Sequence, residues 1–372
     1  ARQVLVRFDG SQQSLQQALT WLRQQPDIAV VNASWGMHLR RIDGLDATDQ
    51  EIDQFVRDTG VVWVNAVGNE ADLTWTGPAT DRNGNGAVDV SYGGEVRDIL
   101  LVKAEKPFAI VVQWDDWGDS VQPVAKQDLD IYLFVDQGNG QVVLWDRSEE
   151  IQNGRQYPME ALSGPGLPGG VGALVIKRKR VDRDVRVRVA VTQGAELLPH
   201  EPAFSLASPA SARQALAVGA VDAGSRQLAS YSSNGPSWDN RLKPEVSAPA
   251  GVRSQAYRLE GQDRFHGTSA AAPHVAGFAA LLASTGDKPR GAALRTAVEA
   301  AIRPMGQPQP NNGYGRGLVV AGLTASGAPD NPPPPVSDKP PVDSPPSGGA
   351  EGQPNGNAAG RVNRALDGLL NR

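Results

Sequence analysis

The chain has 372 residues, enough for two domains, and its 40% hydrophobic and 21% charged content is typical of a globular protein. A net charge of −5 gives no general attraction to nucleic acid or to an anionic membrane surface. The sequence has no cysteine, which excludes disulfides, thiolate catalysis and cysteine-ligated metals. Its longest apolar run, residues 276–283, is too short to span a bilayer.

Strand and helix patterns alternate along the first 73 residues. Three apolar strands are predicted, at residues 3–8, 28–33 and 61–66. Helical spacing of apolar residues fills both intervals; a capping box of Thr48 and Glu51 begins the second helix, and Gly60 ends it. Continuous apolar strands that alternate with helices predict a parallel sheet covered on both faces, with sites beyond the carboxyl ends of its strands.

Two polar segments fall at those strand ends. Ser34, Trp35 and Gly36 follow the second strand, and Asn69 follows the third. A side-chain amide at such a place can donate a hydrogen bond to a bound ligand. The alternative for Asn69 is an ordinary Gly-Asn turn after a strand.

From residue 74 to residue 201 the pattern changes to short alternating strands. The predicted strands lie at residues 110–114, 129–134, 141–145, 172–176 and 185–191. Turn signals separate them, as at residues 137–140. This pattern predicts an antiparallel β-sandwich inserted into the α/β domain.

The first loop of the insert has the pattern D-x-N-x-N-G, with oxygen-bearing side chains at alternate positions and glycine at the sixth. Asp81, Asn83, Asn85 and Asp89 are therefore candidate Ca²⁺ ligands. The twelfth position is Tyr92 instead of the bidentate glutamate of an EF-hand, so a weaker or differently completed site is expected. The alternative is an Asn/Gly-rich turn.

Two further charged groups in the insert have a functional and an ordinary interpretation. Asp115, Asp116, Asp128 and Asp130 form either a second acidic site or a set of solvated loop carboxylates. The basic run at residues 177–180 is either a nucleic-acid patch or an exposed strand face. The absence of an accompanying aromatic platform favours the second interpretation, so no nucleic-acid partner is expected.

The segment at residues 266–277, HGTSAAAPHVAG, opens a predicted apolar helix over residues 270–283. Ser269 then stands at the helix N-terminus, where N–H groups and the helix dipole favour a developing negative charge. Pro273 falls in the expected first turn, where its missing N–H does no harm. Taken alone, Ser269 has the alternative role of a simple N-cap.

The full twelve-residue segment resembles the active-serine segment of subtilisin-like serine proteases. Residues 31–36 are similar to the substrate-binding strand end of that family, and residues 67–70 to the segment whose asparagine donates to the oxyanion. Residues 114–116 and 128–133 also resemble the pre-peptidase C-terminal type of β-sandwich. The resemblance implies an α/β, doubly wound, mainly parallel sheet that is incomplete at its N-terminal side and carries an inserted all-β sandwich.

The resemblance further implies a serine endopeptidase that cleaves polypeptides through an acyl-enzyme on Ser269. Asn69 would then donate to the oxyanion, and residues 34–36 would pair with the substrate. None of the four histidines lies in the family's His-Gly-Thr-His context, and Asp58 belongs to a helix terminus. We therefore expect the general base and its aspartate in a segment upstream of residue 1, and expect this chain to be inactive alone.

Two alternatives stay open at this stage. A rewired base at His266 or His38 would make the chain self-sufficient. A non-catalytic, protease-like protein would instead use the β-sandwich to bind protein or glycan. The family resemblance and the lack of cysteine suggest an extracellular or periplasmic location.

Five segments follow from these patterns. They are residues 1–73 and 202–325 for the two parts of the α/β domain, 74–201 for the insert, 326–360 for a Pro/Gly-rich linker, and 361–372 for a short helix or tail.

Overall fold

The computed structural model describes residues 2–92, 95–119, 122, 124–137, 141–192, 194–259 and 261–320. The linker and tail expected at 326–372, and the turn residues 138–140, lie outside the described residues. The helices of the described part are α1 Gln12–Arg23, α2 Ala47–Thr59, α3 Gln255–Leu259, α4 Thr268–Leu282 and α5 Gly291–Ala300. None of them combines the length and hydropathy needed to cross a membrane.

The strands fall into three groups along the chain. Those before and within the insert are β1 Val30–Ala33, β2 Val62–Ala66, β3 Thr74–Pro78, β4 Val90–Tyr92, β5 Glu95–Arg97, β6 Leu100–Ala104 and β7 Phe108–Trp114. The rest of the insert has β8 Asp128–Asp136, β9 Val142–Ser148, β10 Met159–Gly164, β11 Val171–Arg180, β12 Arg186–Val191 and β13 Ala195–Leu198. The last group is β14 Leu216–Asp222, β15 Val246–Ala250, β16 Val252–Arg253, β17 Arg264–Phe265, β18 Ile302–Arg303 and β19 Leu318–Val319.

The α/β part is built on a six-stranded sheet in the order β1-β2-β14-β15-β19-β18. All of its neighbouring pairs are parallel except β18 with β19. Helix α4 packs on this sheet through small side chains, including the fully buried Ala271, Ala272, Val275 and Ala279. The expected α/β class is confirmed, and the small residues let the serine helix approach the strands closely.

Strand β1 is an edge of this sheet. Within the described residues it pairs with β2 alone, and its Asn32 is exposed, whereas every residue of β2 is buried. The strand expected at residues 3–8 is not formed, because these residues find no partner strand, and Leu5 is 99% exposed. The β1 edge therefore ends the sheet with backbone groups that no described strand covers.

Between β2 and β14 the chain forms two larger antiparallel sheets, in the orders β10-β7-β12-β3 and β13-β6-β11-β8-β9. One apolar core draws on both sheets, with large side chains such as Trp114, Leu129 and Ile131. Along β12, Val187 and Val189 point into this core, so Arg188 lies on the opposite face of its sheet. Membership of this region in the pre-peptidase class stays a prediction.

Helix α2 has the expected end but a different beginning. Its N-cap is Asp46, whose carboxylate accepts from the Thr48 N–H at 3.0 Å, so the Thr48–Glu51 capping box is wrong. Gly60 ends the helix in the left-handed conformation with φ 66°. Asp58 lies in the last turn and pairs with Arg23 at 3.3 Å, in agreement with a helix terminus.

Candidate active site

Helix α4 begins at Thr268, so Ser269 lies inside its first turn and not before it. Pro273 therefore falls beyond the first turn, which corrects the expectation from sequence. Because proline has no N–H, the Ser269 carbonyl has no intrahelical donor four residues on. The Ser34 hydroxyl donates to that carbonyl at 3.1 Å. The Ser269 carbonyl, which Pro273 leaves without a helical donor, thus accepts its hydrogen bond from Ser34 just after β1.

Ser34 and Ser269 are linked in both directions. The Ser269 hydroxyl donates to the Ser34 carbonyl at 3.3 Å, complementing the bond from the Ser34 hydroxyl. The Trp35 carbonyl accepts from the Asn65 side chain at 3.1 Å, and a Cβ on Gly36 would lie only 2.9 Å from Ala207 Cβ. Residues 34–36 are thereby held beside Ser269.

The side-chain amide of Asn69 has an orientation fixed by Thr268. Its Oδ1 accepts from the Thr268 N–H at 2.8 Å and from the Thr268 hydroxyl at 3.0 Å. Because Thr268 donates both of these hydrogen bonds to Oδ1, the Nδ2 group of Asn69 is directed away from the Thr268 donors. Thr268 was not singled out in the sequence analysis, although it adjoins Ser269.

A small space beside Gly267 is bordered by two N–H donors. A Cβ built on Gly267 would lie 3.5 Å from Asn69 Nδ2, 3.6 Å from Asn69 Oδ1 and 3.7 Å from the Ser269 nitrogen; Oδ1 is already bonded by Thr268. Gly267 has φ 97°, a conformation that favours glycine, and no side chain fills the space. The Ser269 N–H belongs to the first turn of a helix, where it has no intrahelical acceptor. Two convergent donors next to a hydroxyl can stabilise an oxyanion.

Tyr231 is hydrogen-bonded to the backbone just before helix α4. Its hydroxyl accepts from the Gly267 N–H at 2.8 Å, and the Thr268 hydroxyl accepts from the Gly68 N–H at 3.3 Å. Burial raises the pKa of Tyr231, which keeps its hydroxyl neutral. The sequence pattern assigns no role to Tyr231.

The four histidines lie in different surroundings. His38 is at the contact with the insert, His200 and His266 are exposed, and the His274 ring contacts the Ala270 carbonyl within α4 at 2.8 Å. Burial first, and then the charge of Arg188, lowers the pKa of His38 well below its usual value. Among the described residues, no histidine ring forms a hydrogen bond with the Ser269 hydroxyl.

The candidate calcium loop folds around Asp81. Its carboxylate accepts from the backbone N–H groups of Gly84, Asn85 and Gly86 at 2.8 to 3.1 Å. Asn83 and Asn85 both contact Asp98 Oδ2, at 3.2 and 2.6 Å. The structure therefore brings Asp98 to two of the four sequence candidates, Asn83 and Asn85.

Asp89 contacts the beginning of the same loop. Its carboxylate accepts from the Arg82 N–H at 3.1 Å. By contrast, Asp98 Oδ1 is buried and has no hydrogen-bond partner among the described residues. The Lys177 ammonium donates to the Asn85 carbonyl at 2.9 Å. The oxygen donors are of the kind that Ca²⁺ binds, although the described residues hold no cluster of three carboxylate or histidine ligands.

The other charged groups of the insert are engaged by the protein. Arg178 lies 4.0 Å from Asp81, Lys179 lies 3.4 Å from Asp130, and Arg180 donates to the Lys126 carbonyl. Asp115, Asp116 and Asp128 accept from backbone N–H groups. These contacts favour the ordinary interpretation of both charged groups.

Part of the chain is similar in sequence to known proteins. Residues 198–317 match the subtilase family model, Peptidase S8. Bacillopeptidase F of Bacillus subtilis (strain 168) is 37% identical over 122 residues, and the thermophilic serine proteinase of Bacillus sp. (strain AK1) is 45% identical over 78 residues. These alignments cover 32% and 21% of this chain, and only 8% and 18% of the relatives.

The CspB protease of Clostridium perfringens has a similar fold. The superposition gives a TM-score of 0.61 at 18% identity and covers 82% of this chain and 68% of that protein. Over residues 198–317 the chain is therefore similar to the subtilase family, and its fold is similar to that of a subtilisin-like protease.

Proposed function

We propose that this chain forms most of a subtilisin-like serine endopeptidase in which Ser269 is the nucleophile. The observation that carries the proposal is the space beside Gly267, bordered by Asn69 Nδ2 and the Ser269 N–H. A peptide carbonyl oxygen placed there has its carbon within reach of the Ser269 hydroxyl. The substrate class is polypeptide, as the family implies.

The reaction follows from this placement. The Ser269 oxygen adds to the carbonyl carbon, and the charge that develops on the carbonyl oxygen is stabilised by the two N–H groups. When the C–N bond breaks, the acyl group stays on Ser269, and the proton taken from its hydroxyl leaves on the amine. Water then attacks the acyl-enzyme in the same geometry. Residues 34–36 would pair with the extended substrate backbone.

We further propose that the general base and its orienting carboxylate come from polypeptide outside these 372 residues. Two observations support this. In the described part of the chain, the Ser269 hydroxyl donates to the Ser34 carbonyl and to no histidine. The β1 edge is uncovered at Asn32, beside the strand end that carries Ser34. The present chain alone should therefore hydrolyse peptides only very slowly.

Labelling with a peptidyl phosphonate tests the nucleophile. In the natural polypeptide that contains this sequence, the probe should attach to Ser269 and fail to attach in Ser269→Ala. Ser284→Ala is the matched control, because Ser284 is an exposed serine just after the C-terminal end of helix α4. An unlabelled wild-type protein would favour the alternative, a non-catalytic protein whose insert binds protein or glycan.

We also propose that the loop around Asp81 binds a structural Ca²⁺ ion. Asp81, Asn83, Asn85 and Asp98 would hold it, and the buried, unpartnered Oδ1 of Asp98 supports the assignment. The ion would supply only charge neutralisation and cross-linking of the loop. Ca²⁺ should raise the melting temperature of the wild-type protein and of Asp89→Asn, but not of Asp98→Asn. A rise that persists in Asp98→Asn would reject the assignment.

An extracellular or periplasmic location, where Ca²⁺ is abundant, remains part of this proposal.

A further inference from the structure

A buried arginine of the insert lies between the two active-site segments of the α/β part. Arg188, on β12, is fully buried on the face of its sheet that is turned away from the insert's own core. Its register partner on β7 is Gln113, which is also buried on that face. A fully buried guanidinium requires hydrogen-bond acceptors for its donors, and most of those found here belong to the α/β part.

The guanidinium fork holds the segment that follows residues 34–36. Its terminal nitrogen Nη2 donates to the His38 carbonyl at 3.0 Å and contacts His38 Nδ1 at 3.3 Å. Its Nε donates to the Phe204 carbonyl at 2.9 Å, and its other terminal nitrogen Nη1 donates to Gln113 Oε1 at 2.9 Å. Met37, beside His38, donates in turn to the Ser208 carbonyl. One side chain of the insert thus joins two separate backbone segments of the α/β part.

The charge of Arg188 acts on the segment that carries Asn69. Glu70 follows Asn69, is 9% exposed, and accepts from the Ser233 hydroxyl at 3.0 Å. A Cβ on Gly68 would lie 2.2 Å from Glu70 Oε2, so this carboxylate lies directly behind the Gly68-Asn69 turn. Burial raises the pKa of Glu70, and the charge of Arg188 is among the interactions that oppose this rise. The positive charge therefore helps Glu70 stay ionised in its place.

We propose that Arg188 is a positioning residue of the active site, through which the insert sets the geometry of the substrate-binding segment, while its positive charge favours an ionised Glu70 beside Asn69. The fork holds the His38 and Phe204 carbonyls, and the positive charge favours the ionised form of Glu70. The catalytic meaning of this coupling rests on the proposed endopeptidase function, whereas the coupling itself does not.

Hydrogen–deuterium exchange on the present chain measures the coupling without requiring catalysis. In Arg188→Met, the amides of Met37 and Glu70 should exchange about tenfold to a hundredfold faster, as expected for the loss of charge-assisted hydrogen bonds. The amides of β7 and β12 should keep their protection, because their core is on the other face. Arg186→Met is the matched control, since it removes a cation from the same face of β12, and it should leave both segments unchanged.

Arg188→Lys separates the two effects. Lysine keeps a positive charge near Glu70 but cannot reproduce the three-way fork. Protection should therefore return at Glu70 and stay low at Met37. Uniform loss of protection across the insert in Arg188→Met, or equal behaviour of the lysine and methionine variants, would overturn the proposal. If the exchange results agree and phosphonate labelling of Ser269 fails, the coupling stands and the endopeptidase function is rejected.

Discussion

The two parts of the molecule fill their interiors in opposite ways. Beneath helix α4 the core is made of alanine and valine, as at Ala271, Ala272 and Val275, whereas the insert packs Trp114, Leu129 and other large side chains. Small residues bring the helix backbone close to the sheet and so place Ser269 accurately next to β1. Large residues give the insert an independent core. The α/β part should thus be sensitive to enlargement of side chains, and the insert to truncation.

Trp114→Ala should produce the largest loss of stability. Trp114 is fully buried, and its indole N–H donates to the Gln127 carbonyl at 3.1 Å. Its removal should cost about 3–5 kcal/mol of unfolding free energy, because a large cavity forms between the two sheets of the insert. Urea denaturation monitored by circular dichroism measures this loss. A cost below about 1 kcal/mol would show that neighbouring side chains move in and fill the cavity.

Buried charge also distinguishes the two parts. Burial raises the pKa of Asp49 on α2 to about 7, despite hydrogen bonds from the Ser208 and Ser211 hydroxyls. The folded state therefore favours the protonated carboxyl, and the stability it contributes is lost as the pH rises from about 4 through 7. Asp49→Asn should remove this dependence and stabilise the protein at pH 8 by up to roughly 4 kcal/mol.

Melting temperatures of wild type and Asp49→Asn between pH 5 and pH 8 check this prediction. The two proteins should converge at the acidic end and separate as the pH rises. Arg188 provides the contrast within the molecule: burial lowers the pKa of this arginine to about 10, which leaves it charged throughout this range. A constant difference between wild type and variant would contradict the pKa assigned to Asp49.

Ala272→Leu should have the smallest effect on stability and a larger effect on the site. The residue is fully buried between α4 and the sheet, and overpacking costs about 1–3 kcal/mol. The displaced helix should lengthen the contacts between Ser34 and Ser269. Urea denaturation gives the stability, and phosphonate labelling of the natural polypeptide gives the reactivity of Ser269. An unchanged labelling rate would show that close packing of α4 is not what places the nucleophile.

The local features of the site could be predicted from the sequence, and its long-range contacts could not. Apolar strands followed by polar residues located Ser34 and Asn69, and Gly-Thr-Ser before an apolar run located Ser269. The hydrogen bond from the Ser34 hydroxyl to the Ser269 carbonyl depends on where α4 begins, which differs by two residues from the expectation. Spacing alone made Asp89 a candidate Ca²⁺ ligand, whereas the contact of Asp98 with Asn83 and Asn85 depends on the fold.

Arg188 shows the same limit most clearly. In the sequence it belongs to an alternating Val-Arg strand, which is typical of a face turned to solvent. Its burial depends on the α/β part that packs on that face, and no local pattern encodes this contact. The edge position of β1 was likewise set by the pairing of strands and not by the composition of β1.

We propose that this chain assembles Ser269 and its oxyanion donors, and that the general base comes from polypeptide outside it. The direct measurement is the rate of Ser269 labelling by a fluorophosphonate on the present chain, with and without added imidazole as an external base. Labelling of the chain alone should be very slow. Imidazole should increase the labelling rate by about 10²-fold, the lower end of what a positioned general base supplies. The rise should weaken in Asn69→Ala and disappear in Ser269→Ala. Rapid labelling of Ser269 without imidazole, or a labelling rate that imidazole leaves unchanged, would contradict this proposal.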